Sequence, residues 1–215
     1  MDPITLLIVC PLVFLAMLVD AIAGGGGLIS LTAYLVAGLP PHVALGTNKV
    51  SSAIGTVVAT ARFAKSGLIK IAIPAVIFAL AGSAIGAKVA LHTPDGVIQM
   101  IMVFALPVVA FFVLRKRALD VPADATISTK KQIAIIAISS FFIGMYDGFY
   151  GPGTGTFMLL AFTAAAKLPV REANGEAKCA NLASRSPPMV PFGGAWALLL
   201  RCSRLPVAMW VRDWS

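Results

Sequence analysis

Charged side chains are scarce in this chain. They make up 12% of its 215 residues, about half the roughly 25% of an ordinary soluble domain. Seventeen Lys and Arg with nine Asp and Glu cannot cover the surface of a 22.4 kDa globule, so a soluble fold is excluded. Histidine occurs twice and cysteine three times, at Cys10, Cys179 and Cys202. Their spacing suits neither a metal site nor a disulfide framework, and no cofactor or metal is implied. The alternating ten-residue strands of a membrane barrel are also missing. No basic residue precedes the first apolar run, which argues for a retained span and against a signal peptide.

Apolar residues are plentiful, at 59% of the chain with a mean hydropathy of +0.91. Runs over residues 4–23, 50–64, 68–91, 97–114 and 133–150 read as spans of a lipid bilayer. Helices are the open-chain solution there, because every backbone N–H and C=O needs an internal partner. The net charge of +8 sits in short clusters: Arg62, Lys65 and Lys70, then Arg115, Lys116, Arg117, Lys130 and Lys131. Such clusters mark cytoplasmic loops more naturally than a nucleic-acid surface. Two spans separate the clusters, as one shared side requires. Counting back puts the N-terminus in the cytoplasm if residues 4–23 cross once.

Two stretches of the chain match each other in order. The first reads Asp20-Ala21-Ile22-Ala23-Gly24-Gly25-Gly26-Gly27, then an apolar stretch, Leu39-Pro40 and Gly46-Thr47-Asn48-Lys49. The second reads Asp147-Gly148-Phe149-Tyr150-Gly151-Pro152-Gly153-Thr154-Gly155, then Leu168-Pro169 and Gly175-Glu176-Ala177-Lys178. The offset is 127 residues at the Asp pair and 129 at the Lys pair. Each copy predicts a long helix ending in Asp, a Gly-rich break, a short apolar segment (residues 28–39 or 156–168), and a polar elbow carrying Lys. Twelve helical residues reach only about 18 Å, short of a roughly 30 Å hydrocarbon core. Such Gly-interrupted short segments at matching places point to a transporter's binding site. The expected fold is therefore an all-α polytopic transmembrane helical bundle built from two repeats with broken half-helices. The first repeat covers residues 1–130 and a partial second one covers 131–184.

At these motifs the sequence resembles the TauE/SafE family of sulfite exporters, the TSUP transporters. The resemblance rests on residues 20–30, Leu45-Gly46-Thr47-Asn48-Lys49, Tyr146 through Gly155, and Ala177-Lys178. It implies a multi-pass inner-membrane carrier, not an enzyme, moving sulfite, sulfonates or related small anionic organosulfur compounds. The motif likeness stops at Ser184, where another long span is implied. Instead the chain reads Arg185-Ser186-Pro187-Pro188, and residues 185–215 are expected to be an atypical tail of truncated or frameshifted origin. A passive channel or a non-transporting membrane protein shares the composition. An intramembrane aspartyl protease does not fit, because each Asp precedes its glycines.

Candidate substrate-binding residues are Gly24, Gly25, Gly26, Gly27, Asn48, Lys49, Gly151, Gly153, Thr154, Gly155 and Lys178. The glycines either pack helices closely or expose amides to an anion at a helix start. Lys49 and Lys178 either snorkel to a water interface or draw an anion into a cavity. Asp20 and Asp147 are candidates for coupling or gating, with capping of the following helix as the bland alternative. Ser30, Thr154 and Thr156 could bond either a sulfonate or a preceding carbonyl. His42 and His92 are assigned no role. The sidedness is testable: cysteines placed at Lys65 and Ala123 should resist an impermeant maleimide applied to intact cells, and strong labelling of either would overturn the assignment.

Overall fold

The computed structural model describes residues 3–23, 26–66, 71–114 and 127–185. Their regular structure is helical throughout: α1 (Pro3–Ala23), α2 (Gly26–Val36), α3 (Pro41–Lys65), α4 (Ala72–Leu91), α5 (Asp95–Leu114), α6 (Thr129–Phe149), α7 (Thr154–Leu160) and α8 (Val170–Ser184). A π-helical turn, Ala161–Ala165, continues α7. The all-α expectation holds, and α4 and α6 are long and apolar enough to cross a membrane unaided. The outward faces carry apolar side chains, among them Phe14, Ile73, Phe104 and Phe142, each more than half exposed. That is a surface suited to lipid and not to water.

Two sequence expectations need correction. The stretch Gly46 to Lys49 was expected as a polar elbow ahead of a span beginning at residue 50; it lies inside α3, which starts at Pro41. Lys178 likewise lies within α8 and not on an elbow. Proline explains both starts. Pro40 caps α3 with φ −55° and ψ 146°, and Pro169 caps α8 with φ −55° and ψ 141°, a geometry that stops the preceding chain and opens a helix. Nothing between residues 42 and 49 then breaks the helix, because its polar side chains turn inward. Cys10 also departs from expectation: it is disulfide-bonded, while Cys179 is a free, buried thiol.

The tightest packing joins α4 to α6. A Cβ added to Gly82 or Gly86 would strike the carbonyls of Phe141 and Met145, and one added to Gly144 or Gly148 would strike Ala79 and Ser83. Small residues at four-residue spacing on both helices let the backbones touch, the usual driving force for association where lipid is as apolar as the side chains. Partners rise together along both helices, so α4 and α6 run parallel. Their starts therefore share one side, in agreement with the two basic clusters.

Other contacts fix the remaining directions. His42 at the start of α3 reaches the carbonyl of Thr93 at 3.1 Å and Asp95 Oδ1 at 3.3 Å, so α3 and α5 begin on the same side. Glu176 Oε1 accepts from the Ile71 amide at 2.5 Å, and Ser83 Oγ donates to the carbonyl of Ser184. Helix α8 thus runs parallel to α4. Replacing Gly82 with Ala should lower the thermal stability of the detergent-solubilised protein by about 1–3 kcal/mol, the usual range for overpacking. Gly96→Ala is the control, since nothing lies within 4 Å of its added Cβ; equal melting of both variants would refute the seam.

Candidate functional site

Asp147 sits two residues before the end of α6 and is 1% exposed. Its Oδ1 accepts from Thr154 Oγ1 at 2.7 Å and its Oδ2 from Ser184 Oγ at 2.6 Å. One carboxylate therefore ties α6 to the start of α7 and the end of α8. The chain can return so sharply because Gly151 has φ +96° and Gly153 φ +83°, a left-handed conformation that side chains disfavour. A Cβ added to Gly151 would lie 3.3 Å from Asp147 Oδ1 and 3.9 Å from Lys49 Cε. The carboxylate and the lysine stem thus converge on this glycine. Lys49 Nζ donates to the carbonyl of Gly148.

The first Gly-rich break meets the second. Gly26 and Gly27 open α2 and are buried. A Cβ on Gly27 would stand 3.4 Å from Asn48 Nδ2 and 3.6 Å from Pro152 Cα. Ser30 Oγ donates to Asn48 Oδ1 at 2.5 Å, which pins α2 to α3. Gly24 and Gly25 lie outside the described residues, and so does the side chain of Asp20, whose backbone belongs to α1. Gly155 and Thr156 are buried in the first turn of α7.

Five formally charged side chains are buried here or nearby: Lys49 (7% exposed), Asp147 (1%), Glu176 (1%), Lys178 (2%) and Arg185 (8%). Snorkelling lysines would have reached water, so that reading of Lys49 and Lys178 is corrected: both are enclosed by neighbouring helices. Arg185, which the sequence reading left to the tail, belongs to this site. Its Nη1 donates to the Ser52 carbonyl at 3.1 Å and to Thr56 Oγ1 at 2.8 Å. Farther along the same seam, Thr60 Oγ1 donates to the carbonyl of Lys178 at 3.2 Å.

Sequence reasoning missed Ser52, Thr56, Ser83, Asn181, Ser184 and Arg185. A signal for most of them existed. Lys49, Ser52 and Thr56 fall at i, i+3 and i+7 on α3, and Lys178, Asn181 and Arg185 repeat that spacing 129 residues later. Each set occupies one helix face. Asn181 is fully buried, and neither heteroatom of its amide has a hydrogen-bond partner among the described residues. A buried orphan amide costs on the order of 1–3 kcal/mol, which a polar ligand or water in the seam would offset.

Asp147→Asn should remain folded, at a cost of about 1–2 kcal/mol. Thr154 Oγ1 keeps the Gly151 carbonyl at 2.6 Å, and Ser184 Oγ keeps that of Asn181 at 3.1 Å. Thermal melting in detergent measures it. Failure of the variant to fold would show that the site needs both carboxylate oxygens, because Asn keeps one acceptor and puts a donor in place of the other.

The family model described as "Sulfite exporter TauE/SafE" matches residues 9–208, farther than the motif likeness, which ended at Ser184. The chain is 36% identical over 175 residues to a probable membrane transporter protein of Sinorhizobium sp, covering 80% of this chain and 66% of that one. It is 31% identical over 176 residues to a protein of the same description from Haemophilus influenzae, covering 80% and 67%. With the probable membrane transporter protein YfcA of Escherichia coli it shares 31% identity over 178 residues, covering 80% and 65%. The chain thus spans about two thirds of the length of these relatives. No solved structure matches it.

Proposed function

Because the chain belongs to the sulfite exporter TauE/SafE family, we propose that it acts as a membrane carrier of small anions, of the sulfite or sulfonate class. It is a multi-pass inner-membrane protein. The observation that carries the proposal is that, among the side chains described, three buried cations, Lys49, Lys178 and Arg185, accompany two buried carboxylates, Asp147 and Glu176. Burying an ion costs several kcal/mol even after relaxation, and in a membrane bundle such groups mark a substrate path. One positive charge in excess suits an anionic substrate. Lys49, whose stem approaches Gly151 beside Asp147, offsets part of that carboxylate's repulsion.

In this reading each candidate residue has a role. Gly26 and Gly27 begin α2, whose first-turn amides lack partners within the helix and carry its positive dipole end. Gly151, Gly153 and Gly155 keep the facing backbone bare, so a small oxyanion can approach it. Lys49, Asn48 and Thr154 supply donors beside that turn, and Lys178 adds a second cation farther along the α3–α8 seam. Asp147 is the gating candidate of the second copy, where its two hydrogen bonds hold α6, the start of α7 and the end of α8 together beside the α3–α8 seam. Asp20 holds the corresponding place in the first copy.

Flux into proteoliposomes tests the reading, with sulfite and a short alkylsulfonate as probes. Uptake should saturate, and Lys49→Gln should cut it about tenfold or more at low substrate, since a charge-assisted hydrogen bond is worth about 1.5–3 kcal/mol. Non-saturating flux would favour a channel. Unchanged uptake by Lys49→Gln would remove this lysine from the site.

A further inference from the structure

Helix directions decide a question that the sequence leaves open, namely how the two copies are oriented. In the second copy, Gln132 Nε2 near the start of α6 donates to the carbonyl of Ala166, just past the π-helical turn, at 2.9 Å. Residues 154–166 therefore fold back along α6 and return the chain to the side where that helix began. Helix α8 then descends beside α6, and Ser184 arrives at Asp147. The first copy has the same order of elements: a long helix, a Gly-rich break, a short helix and a Pro-capped helix. Val9 and Val13 of α1 share one apolar cluster with Leu31 and Tyr34 of α2, as a returning segment requires.

The equivalent helices nevertheless run in opposite directions. Arg185, at the end of α8, bonds Ser52 and Thr56, while Lys178, almost two turns earlier, bonds Thr60. Positions fall along α8 as they rise along α3, so the two are antiparallel. The independent contacts agree: α8 follows α4 through Glu176 with Ile71 and Ser83 with Ser184, and α3 begins beside the end of α4, where α5 begins. Five segments, α1 to α5, precede α6. An odd number of passages reverses the second copy.

We infer that the two halves, residues 1–130 and residue 131 onward, are inverted-topology repeats whose pseudo-twofold axis lies in the membrane plane and passes between α3 and α8. Lys49-Ser52-Thr56 and Lys178-Asn181-Arg185 are then symmetry-related sets facing one polar seam. Inverted pairs of this kind are the architecture of carriers that open a single site to either side; here the interlocked α4–α6 backbones join the halves, and the movement falls to the α3–α8 seam. Substrate in the seam meets the two sets in exchanged roles in the two access states. The start of α1, expected above on the cytoplasmic side, moves to the outer side.

Matched landmarks provide the test. Pro40 and Pro169 are equivalent, exposed caps of α3 and α8. Inverted repeats place them on opposite sides of the membrane, and parallel repeats place them on one side. With the native cysteines replaced, Pro40→Cys should react with an impermeant maleimide on intact cells, and Pro169→Cys only after permeabilisation. Reaction of both from outside, or of neither, overturns the inference. Should a proline variant fail to reach the membrane, Val36→Cys and Val170→Cys report on the same two connections, with side chains 80% and 44% exposed. The inference rests on helix direction alone, so it survives or fails independently of the flux measured with sulfite.

Discussion

A carboxylate in the interior of an apolar bundle must find partners inside the protein, and the arrangement around Asp147 follows from that requirement. Its two oxygens take hydroxyls from Thr154 and Ser184, residues seven and thirty-seven positions away in the chain. Thr154 can come near only if the chain reverses directly after α6, which the left-handed Gly151 and Gly153 permit. Ser184 can come near only if α8 lies against α6, and its carbonyl is in turn held by Ser83 of α4. One buried charge therefore specifies the turn, the docking of α8 and part of the docking of α4.

Close backbone packing provides the frame for this network. Glycines at four-residue spacing on α4 and α6 remove the side chains that would hold the helices apart, and dispersion contacts accumulate along the whole length of the seam. Gly148 serves twice: it packs against Ser83, and its carbonyl receives Lys49. A side chain at that position would disturb packing and the site together. Rigidity in the frame leaves the α3–α8 seam as the place for motion, because hydrogen bonds from Arg185 and Thr60, and not interlocked backbones, join those helices.

The position of Arg185 shows how chain continuity can mislead. It follows α8 directly and precedes Ser186-Pro187-Pro188, so by sequence it groups with the tail. In space it completes the i, i+3, i+7 set begun by Lys178 and bonds α3 more than 120 residues away. The family model's match also continues past it to residue 208.

Composition and hydropathy determined the helical class and the membrane setting, because a bilayer admits few ways to satisfy a backbone. The placement of the spans was legible for the same reason: α1, α4, α5 and α6 fall within a few residues of the apolar runs. The short helices α2 and α7 and the proline-capped starts of α3 and α8 were legible as well, since local chemistry dictates turns and helix starts. What the sequence could not supply was the fate of polar residues inside a helix. The stretch from Gly46 to Lys49 looks like an elbow when water is the assumed partner, and becomes helix interior when Ser30, Gly148 and the neighbouring helices are the partners. Helix direction was equally hidden, because parallel and antiparallel pairs can share one apolar pattern. Only specific contacts between distant residues, Arg185 with Thr56 and Lys178 with Thr60, distinguish the two, and such contacts exist only once the chain has folded.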